Sequence, residues 1–145
     1  MFVKSSPQGW EMQYKDLNGE EHKVSLSKKK KRNRKKSKLH SRAIELIKSA
    51  KPMVRLCEEL PIRIRRGHTL YLDIFLPDYD LAIEVQGPQH FKFMKNFHQY
   101  KHRFGRAQLN DSLKREWCEV NGIKLIELRF DEVDEWNDRL NRAIR

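Results

Sequence analysis

Two apolar runs, residues 70–76 and 81–85, flank Pro77-Asp78-Tyr79-Asp80, and this arrangement restricts the fold more tightly than any other stretch of the chain. Proline's fixed φ and the turn-forming aspartates mark a hairpin bend. If 76 faces 81 across the bend, 75 faces 82, 74 faces 83 and Asp73 faces Glu84. Two carboxylates then lie across an antiparallel pair with Cβ atoms about 5 Å apart, which destabilises a sheet unless positive charge sits between them. A divalent cation is the usual remedy, because hard cations take carboxylate oxygens. Gln86 shares the face of Glu84, two residues on, and the Val85 backbone carbonyl is a natural third oxygen. Asp78 and Asp80 are ordinary turn residues. Asp73 is different: among Leu72, Ile74 and Phe75, an acid incurs a desolvation cost without structural return.

Charge is distributed unevenly. The net charge is +11, yet residues 28–38 hold nine basic side chains and no acidic one, which leaves +2 for the remaining 134 residues. Lys28, Lys29, Lys30, Lys31, Arg32, Arg34, Lys35, Lys36 and Lys38 therefore form a basic linker suited to a polyanion, with sequence-independent affinity through counterion release. Ahead of it, residues 9–27 alternate as a β-hairpin: a three-residue loop at Leu17-Asn18-Gly19 sets Met12 opposite Val24 and Trp10 opposite Leu26. An isolated hairpin is marginal in water, so this one must dock.

Beyond the linker, Leu39, Ala43, Leu46, Ile47 and Ala50 mark an amphipathic helix stopped by Pro52, with Ser41 a candidate cap and Glu45 beside the stripe. Residues 62–66 read as the strand leading into the central hairpin, turning at Gly67-His68, and Arg63, Arg65 and Arg66 offer phosphate contacts. His90 follows the carboxylate strand closely and is placed at the candidate site. Leu109, Leu113, Trp117 and Val120 mark a second helix, ended by Asn121-Gly122. Asp111 and Lys114 lie on one side of it, as a surface ion pair or with Lys114 as a working cation. Residues 123–130 form a strand, and β-α-β order implies a parallel crossover. Val133, Trp136, Leu140 and Ile144 give a final helix. Cys57 and Cys118 form neither a zinc knuckle nor a disulfide framework. No run approaches the roughly 18–20 apolar residues of a membrane span, so a soluble cytoplasmic protein in a reducing compartment is expected.

The segments LYLDIFLPDYDLAIEVQGPQHF and LNDSLKREWCEVNGIKLIEL together resemble the core of the PD-(D/E)XK nuclease superfamily, in its small phage-type and homing-endonuclease-associated members related to very-short-patch-repair enzymes. The resemblance runs from about Leu39 to Phe130. It implies an α/β (α+β) restriction-endonuclease-like core in the order αβββαβ, with a mixed sheet, over residues 39–145. A C-terminal helix, the hairpin at 1–27 and the basic linker at 28–38 are additions. The implied activity is Mg²⁺- or Mn²⁺-dependent endonucleolytic hydrolysis of duplex or branched DNA. Asp73, Glu84 and the Val85 carbonyl would hold the metal, and Glu45 matches an acid that sometimes reaches it from the first helix. The catalytic lysine position holds Gln86, which orients water but carries no charge; some members place that lysine on the following helix, where Lys114 stands. Cutting both strands would require a homodimer or a second binding event. The rival readings are a nuclease-fold protein that binds nucleic acid without cleaving it, and a basic RNA-binding protein.

Overall fold

The computed structural model describes residues 2–6, 9–27, 37–88 and 97–145. β1 (Phe2–Ser6), β2 (Gly9–Lys15) and β3 (Glu21–Ser25) form an antiparallel sheet in that order. A second sheet is ordered β4 (Cys57–Arg65), β5 (His68–Leu76), β6 (Leu81–Gln86), β7 (Lys124–Arg129). It is antiparallel except for the parallel β6–β7 pair. With α1 (Lys38–Ala50), α2 (Phe97–Val120) and α3 (Val133–Ala143), the order is the expected αβββαβ with a C-terminal helix.

The two hairpins keep the registers their turns dictate. Met12 pairs with Val24, and the Leu26 N–H donates to the Trp10 carbonyl. Gly19 takes φ +83°, the left-handed conformation that the loop needs. In the central hairpin Leu76 pairs with Leu81, Phe75 with Ala82 and Ile74 with Ile83. Its bend is a 3-10 turn over Pro77–Tyr79, closed by Asp80 at φ +47°.

Four boundaries differ from expectation. β1 is an extra strand on β2, formed from residues with no periodic signal of their own. Ser37 rather than Ser41 caps α1, its Oγ accepting the His40 N–H at 3.1 Å, because the helix begins at Lys38. β4 begins at Cys57, five residues before the expected strand; Pro61 fits within it, opposite Tyr71, because β4 is an edge strand of the second sheet. The inward stripe of α2 is rotated: Leu113, Trp117, Cys118 and Asn121 are buried, while Leu109 and Val120 are exposed.

Each face of the second sheet has its own apolar layer. On one, Ala43, Ile44 and Ile47 of α1 and Trp136, Leu140 and Ile144 pack on Ile74, Leu76, Ile83, Ile126 and Leu128. On the other, Leu113, Trp117 and Cys118 of α2 pack with Leu60, Ile62, Leu72, Phe75 and Ala82, and with Met12 and Tyr14 from the first sheet. The N-terminal hairpin thus docks into the main core. Asn121 fastens it: Oδ1 accepts the Lys15 N–H at 2.8 Å, and Nδ2 donates to the Lys15 carbonyl at 2.8 Å and the Trp117 carbonyl at 2.9 Å. The Tyr14 hydroxyl adds a bond from the Arg63 N–H at 2.8 Å. Asn121→Ala strands buried polar groups at both ends, so it is expected to cost about 2–3 kcal/mol in urea unfolding. A loss under about 0.5 kcal/mol would mean that the clamp is idle. No helix among the described residues is long and apolar enough to cross a membrane.

Candidate metal and phosphate site

Strand alternation slips where the acids lie. Leu70 and Leu72 join the layer under α2, but Ile74 and Leu76 join the layer under α1 and α3. Glu59 takes φ +51° between the rungs Glu58–Ile74 and Leu60–Leu72, so it stands opposite Asp73. β5 and β6 remain backbone-paired only as far as Ile74–Ile83. Asp73 follows that last rung, and its Oδ2 accepts the Val85 N–H at 2.9 Å, a side chain standing where a ladder bond would be. The expected register holds through Ile74–Ile83 but not as a paired rung at Asp73 and Glu84: Asp73 engages the backbone beyond Glu84 while its carboxylate stays beside that of Glu84.

Glu84 and Gln86 are buried on β6. Lys114 sits on the inward stripe of α2 and brings Nζ to 3.0 Å from Glu84 Oε1, with side-chain exposures of 14% and 8%. That oxygen is buried, with the Lys114 ammonium beside it. Burial drives the Glu84 pKa well above the usual carboxylate range, Lys114 opposes the rise, and the adjoining Asp73 carboxylate adds to it. Because the folded state holds this proton more tightly than the unfolded chain, Glu84 contributes stability at low pH that is lost as pH rises from about 4.5 through the raised value. Relative to Glu84→Gln, the native protein should therefore lose stability from pH 4 to pH 8; urea unfolding with a constant difference across that range would contradict this.

The next strand continues the acidic row. Glu84 pairs in register with Glu127 of β7, and Arg115, the α2 neighbour of Lys114, takes both Glu127 oxygens at 2.5 and 3.0 Å. The sequence reading missed this second pair. A usable signal was the repetition of Ile83-Glu84-Val85 by Ile126-Glu127-Leu128 on the parallel neighbour. Burial pushes the Cys118 thiol up to about 12 and the Cys57 thiol to about 11, so neither is a nucleophile near neutrality.

Other candidates separate from this group. Glu45 leaves the ligand set: α1 covers the opposite face of the sheet, and Glu45 is exposed, 3.6 Å from Arg42 Nη1. Arg63, Arg65 and Arg66 are exposed at the far end of the β4–β5 hairpin, with Arg63 opposite Thr69. Four residues of strand put that rung about 13 Å from Asp73, farther than expected. Lys38 is exposed in the first turn of α1. His90 and residues 28–36 of the basic linker lie outside the described residues. Asp78 binds Arg55 at the bend, as a turn acid can.

One further group was not anticipated. Asp16, Glu20 and His22 bring ligand atoms within 4.8 Å of one another, close enough to hold a metal ion. Asp16 is already engaged, accepting the Asn18 and Glu20 N–H groups at 2.8 and 3.0 Å and facing His22 Nε2 at 2.8 Å.

No known protein-family profile matches the chain, and no solved structure does. The chain is 38% identical over 65 residues to uncharacterized protein 307L of Invertebrate iridescent virus 6, covering 45% of this chain and 33% of that protein. It is 39% identical over 64 residues to uncharacterized protein 033L of Invertebrate iridescent virus 3, covering 44% and 33%. To uncharacterized protein 094L of Frog virus 3 it is 38% identical over 69 residues, covering 47% and 44%. The matched segment thus spans between a third and under half of the length of these viral proteins.

Proposed function

We propose that this protein is a divalent-metal-dependent endonuclease that hydrolyses DNA phosphodiesters, with Asp73, Glu84 and Lys114 at its centre. The observation that carries this reading is the Lys114 ammonium, 3.0 Å from a buried Glu84 that adjoins Asp73. In this reading two acids from neighbouring strands and a lysine from the next helix stand for the acid-acid-lysine set of the nuclease core that the sequence resembles. Lys114 supplies from the helix the charge that Gln86 lacks on the strand. The residues fit a hard cation: both acids are oxygen donors, and the buried Glu84 carboxylate adjoins that of Asp73. The Val85 carbonyl is the third oxygen proposed for the set.

When bound, Mg²⁺ supplies Lewis-acid polarisation of the phosphoryl oxygen and lowers the pKa of an attacking water. Gln86 orients that water by hydrogen bonding, and Lys114 stabilises the charge that develops on the phosphate. The basic linker contributes sequence-independent DNA affinity. Its flanks are tied to the first residues of β4. Cys57 Sγ contacts the Leu26 carbonyl at 3.5 Å on one side, and on the other Ser37 caps α1, whose His40 Nε2 lies 3.2 Å from Glu58 Oε1.

A second reading, a nucleic-acid binder without catalysis, is favoured by Gln86 and by the charge that Lys114 already neutralises. A plasmid-nicking assay across Mg²⁺, Mn²⁺ and Ca²⁺ separates the two, since metal-dependent nicks support the enzyme and their absence supports the binder. Competition among duplex DNA, branched DNA and structured RNA across salt identifies the polyanion, because an electrostatic tail alone shows no structural preference.

A further inference from the structure

Two ion pairs stand side by side between α2 and the sheet, and they are built differently. Arg115 grips both oxygens of Glu127. Such a planar fork is geometrically fixed. Lys114 meets one oxygen of Glu84 through a single point charge on a flexible four-carbon stem. The first pair, more exposed, is held at two points, and the second, buried, at one. The singly held cation is the one that adjoins both Glu84 and Asp73.

We infer that Lys114 is the resident counter-cation of the Asp73–Glu84 pair, which an entering divalent cation must displace from Glu84. This rests on the acid pair being the metal site. A hard cation binds carboxylate oxygen at about 2.0–2.6 Å. With the ammonium at 3.0 Å from the same oxygen, the two cations would crowd and repel one another inside a buried site. Displacement frees Lys114 to meet the phosphate, so one side chain neutralises the empty site and serves the loaded one. The device makes metal binding weaker than two carboxylates alone would provide, and it couples metal entry to release of the lysine.

The test uses Mn²⁺ alone, without DNA, on the full chain. In calorimetric or electron-paramagnetic titrations, Lys114→Met is expected to bind Mn²⁺ at least about tenfold more tightly than the native protein. Lys114→Arg, which keeps the charge, should not show this gain. On the native chain, saturating Mn²⁺ should raise acylation of the Lys114 amine severalfold, as read by peptide mass spectrometry. That measurement carries the test if Lys114→Met fails to fold by circular dichroism. Unchanged Mn²⁺ affinity in folded Lys114→Met, or labelling indifferent to Mn²⁺, overturns the inference. Asp73→Asn distinguishes the underlying reading: if the native protein's Mn²⁺ binding survives that change unaltered, the acid pair is not the metal site and both fall. If Asp73→Asn abolishes binding but Lys114→Met gains none, only the counter-cation role falls.

Discussion

Asp73→Asn and Glu84→Gln are each expected to lower the proposed Mg²⁺-dependent nicking of supercoiled plasmid by at least about a hundred- to a thousandfold, the loss expected when a group stabilising transition-state charge is removed. The amides match the carboxylates in shape, so they remove charge and metal affinity with little change in volume. Glu84→Ala loses activity too, but it leaves the Lys114 ammonium in a buried place without its partner, which itself destabilises the fold. For that reason the amide variants are the cleaner probes. DNA affinity should persist in both, because most of the net positive charge lies in residues 28–38, away from these substitutions. Gel shifts and thermal melts on the same preparations establish that the variants are folded and bind. Nicking that survives both substitutions at native rates removes the proposed centre.

The largest structural effect is expected at Trp117. Its side chain is fully buried where α2, β4 and the first sheet converge, edge-on to Tyr14 with ring centroids 5.2 Å apart. Trp117→Ala opens a cavity under both sheets and should cost about 3–5 kcal/mol. For a chain of this length that lowers the melting temperature by roughly 10 °C or more. Trp117→Phe should cost far less, under about 1.5 kcal/mol, because the lost indole N–H has no acceptor among the described residues. Trp136 has the opposite chemistry: its Nε1 donates to the Arg129 carbonyl at 2.9 Å. If calorimetric melting shows Trp117→Phe to be as damaging as Trp117→Ala, the indole N–H has a role that the packing does not explain.

Local chemistry made much of this architecture readable. Loop length and a left-handed glycine set Met12 against Val24, and proline with two turn aspartates set Leu76 against Leu81; both registers appear as expected. The order of elements followed from the switch between period two and period 3.6. The facing of α2 could not be read this way. Leu109 and Val120 continue its apolar spacing, but the buried face runs through Leu113, Trp117, Cys118 and Asn121, so those two remain in solvent. The inward stripe includes Lys114, a residue that a purely apolar template leaves outside. Glu45 fails as a ligand for a related reason: periodicity places it beside the apolar stripe of α1 but does not say which face of the sheet that helix covers.

The amino-acid sequence on its own determined the two turns, the strands they join, the order of the elements from β2 onward and the nearness of Asp73 to Glu84, because all of these depend on neighbours a few residues away. Tertiary structure alone decided that Lys114 comes down on Glu84, that Arg115 locks Glu127 beside it, and that Asn121 ties the first sheet to the core. Those contacts join segments that no local period relates, and they arise only when packing of the buried layers selects one rotation of each helix.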